Sequence, residues 1–388
     1  MYGTGTGMSP SEPMDGWMPK KKSILTLALI ARAARTAEID HVPVIDLKGV
    51  DIVEKLHAAI RDFGFFYLQN HGVPLSVIAN QFEQSRAFFD LPSEEKRLLR
   101  FNATLDIGYT GGAGTQQALD PTKAEIADTK EGFMLTNNGV MDSNSVLSDD
   151  PLTGATLEWP HGLPAFELAF RAYYKAMYDL NRALNAVLFS ALGLGDAEAD
   201  RLGSAPFCVL KLLRYAPVEA PADRSADASS QGLGAGAHSD WGSLTLLAND
   251  GTPGLQVELD GVWRPVPPKE GCLIVNAGDL LSMLTNGHYR SARHRVVSTA
   301  SRPRYSTAFF AYFNYRATIT PITRWTPGEP ALSAPMDTHE WFQYKLRQSV
   351  GESVTIPPSS GGRSEGTQSQ TTDQSCGEET DSDDIRAR

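Results

Sequence analysis

A chain of 388 residues with 41% hydrophobic and 21% charged residues has the composition of a soluble globular protein, and its length suffices for one large domain with a sizeable core. Its formal net charge of −11 argues against a nucleic-acid-binding surface, which needs clustered Lys and Arg to neutralise phosphate. Small molecules are the expected partners, for a monomer that engages neither nucleic acid nor membrane. Cys208, Cys272 and Cys376 form no even framework and no Cys-x-x-Cys pair, which points to a reducing compartment. The early apolar run, Ile24 to Ala31, is too short to span a bilayer; Arg32 and Arg35 interrupt it as a signal peptide, and Glu12 and Asp15 are foreign to a transit peptide. A cytoplasmic location is expected, with organelle targeting left open.

Residues 1 to about 22 are rich in Gly, Ser, Pro and Met without periodicity, and Ser23 is predicted to cap a helix reaching about Ala37, which makes 1–40 an N-terminal extension. Val42 to Leu47 reads as a strand, Val50 to Phe63 as a helix, and Gly64 to Leu68 as a second strand ending at Asn70-His71-Gly72. His71 there is read as a hydrogen-bonded turn residue, not a ligand. A helix over Ser76 to Phe89 places Val77, Phe82, Phe88 and Phe89 in the core, and Ser93 is predicted to cap the next helix with acids in its first turn. Gly108 to Gly114 is glycine-rich, yet neither Lys-Ser/Thr nor a helix follows, so a phosphate loop is excluded. The charges of Asp128 to Met134 are read as positioning backbone and not as doing chemistry, and Asn137 to Gly154 reads as an irregular loop. Residues 41–160 thus form a helix-rich N-terminal region.

From Leu163 the residues Phe166, Phe170, Tyr173, Met177, Leu180, Leu184 and Val187 recur every three or four positions to about Gly193, predicting the longest helix with a core stripe. Val209 to Tyr215 follows as a strand, and Ala220 to Ala235 as a Pro/Ala/Ser/Gly-rich insert. Gly254 to Leu259 and Val262 to Val266 flank Asp260-Gly261, a hairpin signal. Cys272 to Asn276, Val296-Val297 and Thr307 to Phe313 add strands. The pattern predicts an α+β, mainly β fold: a jelly roll of two packed sheets braced by helices, with 161–350 as its catalytic part. Residues 359–388 hold seven acids, three arginines and almost nothing apolar, which predicts a disordered tail.

Within the catalytic part, Gly236-Ala-His-Ser-Asp-Trp-Gly-Ser-Leu-Thr-Leu-Leu247 carries His238 and Asp240 two residues apart, which on a strand share a face. His294, 54 residues past Asp240 and on another strand, completes two nitrogens and one oxygen, the set that holds Fe(II) and leaves positions open. Arg302, Arg304 and Ser306 alternate on a further strand; a buried guanidinium needs an anion, and its fork matches a carboxylate.

His-x-Asp, His and Arg-x-Ser, set in Gly-x-x-x-His-Ser-Asp-x-Gly-x-Leu-Thr-Leu-Leu and Asn-Ala-Gly-Asp-Leu-Leu, resemble the 2-oxoglutarate and Fe(II)-dependent oxygenases of the isopenicillin N synthase type. The likeness extends to Gly-Phe-Phe-Tyr and Asn-His-Gly, and so covers roughly residues 41 to 350. It implies Fe(II), 2-oxoglutarate as cosubstrate and O2, with His238, Asp240 and His294 on the metal. It also implies Arg304 and Ser306 on the distal carboxylate, assisted by Tyr215, although Ala216 here separates Tyr215 from the proline that adjoins it in the family. Arg302, His71 and His288 fall outside the implied ligands. The implied reaction is oxidation of an unactivated C–H bond of a small molecule by hydroxylation, desaturation or rearrangement, with release of succinate and CO2, in secondary metabolism. Two other readings stay open: a ferrous oxidase of the same fold that does not use 2-oxoglutarate, and a non-catalytic jelly-roll binding protein.

Overall fold

The computed structural model describes residues 42–99, 107–111, 130–137, 159–217, 233–297 and 301–349. The helix expected from Ser23, most of the loop expected over 137–154, the bulk of the insert before His238 and the acidic tail lie outside these residues. The N-terminal region gives β1 (Val44–Asp46), α1 (Ile52–Asp62), β2 (Phe65–Gln69), α2 (Leu75–Phe89), α3 (Ser93–Leu98), β3 (Gly108–Thr110) and β4 (Lys130–Thr136). Two helices follow, α4 (Pro164–Ala191) and α5 (Asp196–Gly203), and then β5 (Pro206–Tyr215), β6 (Leu233–His238), β7 (Leu244–Asn249), β8 (Leu255–Leu259), β9 (Val262–Pro265) and β10 (Leu273–Ala277). The chain continues through α6 (Asp279–Leu284), β11 (His294–Val297), β12 (Arg304–Asn314), β13 (Thr318–Ile319), β14 (Met336–Asp337) and α7 (Thr338–Ser349).

The strands form the expected jelly roll. An eight-stranded sheet runs in the order β1-β2-β10-β7-β12-β5-β4-β3, and a four-stranded sheet in the order β6-β11-β8-β9. Strands from the N-terminal region thus share one sheet with β5, β7, β10 and β12. Alternation along β12 assigns its two faces: Arg304, Ser306, Ala308, Phe310 and Tyr312 line a cavity, whereas Phe309 on the other face meets Tyr174 of α4 at 5.3 Å between ring centroids. The α4 stripe is core as predicted, with Leu188 more deeply buried than Val187. Phe88 of α2 lies between Phe166 of α4 and Phe133 of β4, at 4.8 and 4.9 Å, so the helices hold the outer face of the large sheet in register.

Some local expectations need correction. Ser93 is the first residue of α3, and Pro92 (φ −52°, ψ 145°) occupies the cap position, so no Ser93 side chain caps the helix. Proline's fixed φ ends the preceding turn there, as Pro74 does before α2. The hairpin follows its sequence signal: Asp260 and Gly261 both take positive φ (51° and 80°), the geometry of a type I′ turn, and Leu259 pairs with Val262.

Candidate active site

The site is assembled by two adjacent strands of the small sheet and one turn. His238 ends β6, His294 begins β11, and the two are direct cross-strand partners with ring centroids 4.4 Å apart. Asp240 does not share the strand as the spacing predicts. The strand stops at His238, and the carboxylate arrives from the turn that leads into β7. Close backbone packing shapes this turn. The Asp279 N–H donates to the Asp240 carbonyl at 2.8 Å, the Gly278 N–H to the Ser243 carbonyl at 2.9 Å, and the Trp341 indole N–H of α7 to the Trp241 carbonyl at 2.9 Å.

The three side chains converge. Their candidate ligand atoms all lie within 4.8 Å of one another, with Asp240 Oδ1 3.8 Å from His238 Nε2 and 3.6 Å from His294 Nε2. The remaining atoms are already committed. Asp240 Oδ2 accepts from Thr245 Oγ1 at 2.6 Å and Asn276 Nδ2 at 2.7 Å, which leaves Oδ1 to face the histidines. His238 Nδ1 donates to the Gly236 carbonyl at 2.7 Å and His294 Nδ1 to the Ala292 carbonyl at 3.2 Å. A carbonyl can only accept, so each ring keeps its proton on Nδ1 and presents an Nε2 lone pair. Burial pushes the His238 pKa down to about 3, and the neighbouring His294 adds to this. Burial opposes ionisation of Asp240, but attraction to either histidine whenever that ring is protonated, with the bonds from Asn276 and Thr245, outweighs it and holds the carboxyl below its ordinary range. Two neutral imidazoles and one carboxylate, all oriented, fit a divalent transition metal such as Fe(II).

Arg304 starts β12 and faces the same cavity, which has a volume of about 130 Å³. It is only 5% exposed. Its Nε donates to the Thr252 carbonyl and its Nη1 to Ser306 Oγ, both at 3.3 Å, and its guanidinium lies 4.8 Å from the centroid of the Tyr215 ring, its partner across the β5–β12 ladder. Among the described residues these contacts supply no carboxylate to this buried cation, an arrangement whose charge and geometry fit an anion. Arg302, by contrast, is exposed and precedes the strand. His71 accepts from the Val73 N–H at 3.2 Å, as a turn residue should, and His288 stacks on Trp325 with ring planes 9° apart. Sequence reasoning missed Thr245 and Asn276 as holders of Asp240, and Lys130 and Lys211 as cavity residues; the alternation of Lys211 with Tyr215 on one strand face was the available signal.

The profile of the 2OG-Fe(II) oxygenase superfamily matches residues 207–312, and that of the non-haem dioxygenase in morphine synthesis N-terminal region matches residues 42–164. A 2-oxoglutarate-Fe(II) type oxidoreductase from Aspergillus fumigatus is 32% identical over 306 residues, covering 77% of this chain and 88% of that protein. The chain belongs to the 2-oxoglutarate and Fe(II)-dependent oxygenases. Clavatol oxidase from Penicillium crustosum is 32% identical to this oxygenase over 291 residues, with 70% and 82% of the two chains covered. A full-length Neurospora crassa protein, solved in complex with α-ketoglutarate and thymine, is 25% identical with a TM-score of 0.65, covering 80% of this oxygenase and 96% of that chain. The oxygenase is therefore an enzyme that uses Fe(II) and 2-oxoglutarate, and the readings as an oxidase without 2-oxoglutarate or as a non-catalytic binding protein are set aside. Among the described residues no helix is long and apolar enough to cross a membrane.

Proposed function

We propose that His238, Asp240 and His294 hold Fe(II), that Arg304 and Ser306, with Tyr215 beneath the guanidinium, hold the distal carboxylate of 2-oxoglutarate, and that the enzyme oxidises an unactivated C–H bond of a small molecule. The observation that carries this reading is one cavity lined both by three converging donors and by a buried guanidinium whose described partners are a carbonyl and a hydroxyl. When bound, Fe(II) with 2-oxoglutarate and O2 supplies the oxidising chemistry, with release of succinate and CO2.

The protein's own residues do the rest. The Nδ1–H bonds of the two histidines fix the tautomers that offer Nε2. Thr245 and Asn276 hold one oxygen of Asp240, so the other presents a single charge at a fixed place. Leu213, Leu247 and Phe310 form apolar walls that exclude water from the reacting groups. On this reading residues 161–350 carry every group that touches metal or cosubstrate, and residues 41–160 complete the sheet behind them. The likeness to clavatol oxidase and to a Neurospora protein that binds thymine supports a small molecule as substrate. The net charge of −11 supports a free monomer without nucleic-acid partners, and the cysteine pattern supports the cytoplasm.

Arg304→Lys keeps the charge and loses the two-pronged geometry. The expected loss is about 2 kcal/mol of cosubstrate affinity, a roughly thirtyfold rise in the apparent constant for 2-oxoglutarate, with iron affinity unchanged. Anaerobic titration of the Fe(II)-loaded protein, followed by the visible charge-transfer band of chelated 2-oxoglutarate, measures it. Absence of stoichiometric succinate from the unaltered enzyme would overturn the assignment.

A further inference from the structure

Asp279 opens α6 and ties together three separate segments around the metal ligands. Its main-chain N–H donates to the Asp240 carbonyl at 2.8 Å. Its carboxylate has both oxygens engaged: Oδ1 accepts from Ser291 Oγ at 2.7 Å, and Oδ2 meets Lys345 Nζ at 3.2 Å. Ser291 stands in the stretch that delivers His294 to β11, and Lys345 belongs to α7. One aspartate therefore bridges the turn that carries Asp240, the approach to His294 and the last helix described.

The helix end of this bridge is built by one row of side chains. Trp341, Lys345 and Ser349 follow one another at intervals of four and so share a face of α7. Trp341 donates its indole N–H at 2.9 Å to the carbonyl of Trp241, the residue after Asp240. The Lys345 ammonium lies 5.1 Å from the centroid of the Trp341 ring and 6.0 Å from that of Trp241, so two indoles flank the cation while it pairs with Asp279. Ser349 lines the cavity. Beside this row Phe342 is fully buried, 4.8 Å from Phe207 and 5.4 Å from Tyr312 between ring centroids, which fixes the helix against the large sheet.

The Lys345 and Asp279 side chains are only 20% and 17% exposed. An ion pair this far from water costs desolvation, and apolar residues of the same volume would hold the two elements together as well. Stability alone is a weak reason for it. An apolar pair lacks direction, whereas this carboxylate fixes Ser291 and Lys345 at once and its own N–H fixes Asp240.

We infer that Lys345 and Asp279 are positioning residues of the metal centre, through which α7 holds Asp240 and His294 at the separation that Fe(II) requires. The inference rests on the Fe(II) reading above, and its test separates the two. Fe(II) binding to the full chain is measured anaerobically by equilibrium dialysis, without cosubstrate, for Lys345→Met, Asp279→Asn and the double variant. Charge and position give different patterns. Removing the lysine cation favours a bound dication and removing the aspartate anion disfavours it, so a purely electrostatic pair moves the two single variants in opposite directions and leaves the double near the original. A positioning pair weakens Fe(II) in all three, by about tenfold, the low end of the loss that follows removal of partners outside the ligand set. The double variant is expected within about threefold of either single one, because both residues act through one bridge. Lys345→Arg keeps a cation on the carboxylate and is expected within about threefold of the original. Turnover supplies a second readout: kcat for succinate formation falls in Lys345→Met, while the apparent constant for 2-oxoglutarate, set at Arg304, changes by less than about threefold. Opposite shifts in the two single variants, a double variant within about threefold of the original, or an arginine variant as weak as the methionine one overturns the inference alone. If Lys345→Met does not fold, Ser291→Ala carries the test, since it leaves the ion pair whole and frees only Oδ1. A loss of Fe(II) affinity above about threefold there supports the inference, and a smaller one overturns it. An unaltered protein that binds no Fe(II) removes the inference together with the reading beneath it.

Discussion

Asp240→Asn leaves the protein folded and without iron-dependent turnover. In the native protein Oδ2 accepts from Thr245 and Asn276, and an asparagine carbonyl can accept both bonds. Its amide NH2 then replaces Oδ1, the atom 3.6 to 3.8 Å from the two histidine nitrogens, and turns a negative ligand into a neutral donor. Loss of partners outside the ligand set commonly costs about 10- to 100-fold in metal affinity, so loss of the charged ligand is expected to exceed about 100-fold. Iron content after dialysis and succinate formation measure the effect, with a melting temperature within about 3 °C of the original showing that the fold survives. Asp240→Ala is the poorer probe, because it strips two buried donors of their acceptor at about 1–3 kcal/mol each. An asparagine variant that retains iron and activity would remove Asp240 from the ligand set.

Gly278→Ala strikes the same centre from behind. A Cβ on Gly278 would lie 2.4 Å from the Gly242 carbonyl oxygen and 2.9 Å from that of Asp240. Both are main-chain atoms of the turn that delivers the carboxylate, so neither can rotate aside. Retreat is blocked as well, since Gly242 sits so close to β12 that a Cβ there would stand 2.2 Å from the Ala311 carbonyl. The turn is held between β12 and the start of α6. Overpacking of this kind is expected to cost about 3 kcal/mol, a fall of roughly 4–6 °C in melting temperature for a unit of this size, and to weaken iron binding because the displaced turn carries Asp240. Gly236→Ala, two residues before His238, meets nothing within 4 Å and is expected to change the melting temperature by about 1 °C or less. Equal thermal stability of the two variants would contradict this account.

The convergence of the three candidate ligands was legible because such chemistry is tied to residue type and order. His238, Asp240 and His294 needed no contact map, since few other arrangements of two histidines and an aspartate precede Arg304 and Ser306 in this way. Strand alternation gave the right partners for Asp240 by the wrong route: the residue lies beyond β6, where packing of Gly242 and Gly278 decides the path. Such packing leaves only a glycine in the sequence, and a glycine there reads equally well as an ordinary turn. Thr245 and Asn276 were invisible as supports for a related reason. They reach Asp240 from β7 and β10, and the register that brings those strands together is a property of the whole sheet. Lys130 looked like a charge that positions backbone, because facing the cavity depends on the pairing of β4 with β5, roughly 80 residues away in the chain.

The place of β2 in the large sheet also bears on how this protein is made. Leu68 pairs with Leu273, and Phe65 with Asn276, so an apolar strand made early finds its partner only after roughly 200 further residues have been joined. At about 5–20 residues per second on the ribosome, Phe65 to Leu68 wait roughly 10–40 s with the edge that faces β10 unpaired, although β1 is already at hand for the other. A nascent chain in that interval is a client for chaperones and prone to aggregate, and slower synthesis at low temperature does not shorten the exposure. Asn276, which holds Asp240, is ordered only when β2 and β7 flank its strand, and His294 is synthesised later still. The three proposed ligands are therefore together only once His294 has been made, and iron added during purification is expected to fill a preparation that folded without it.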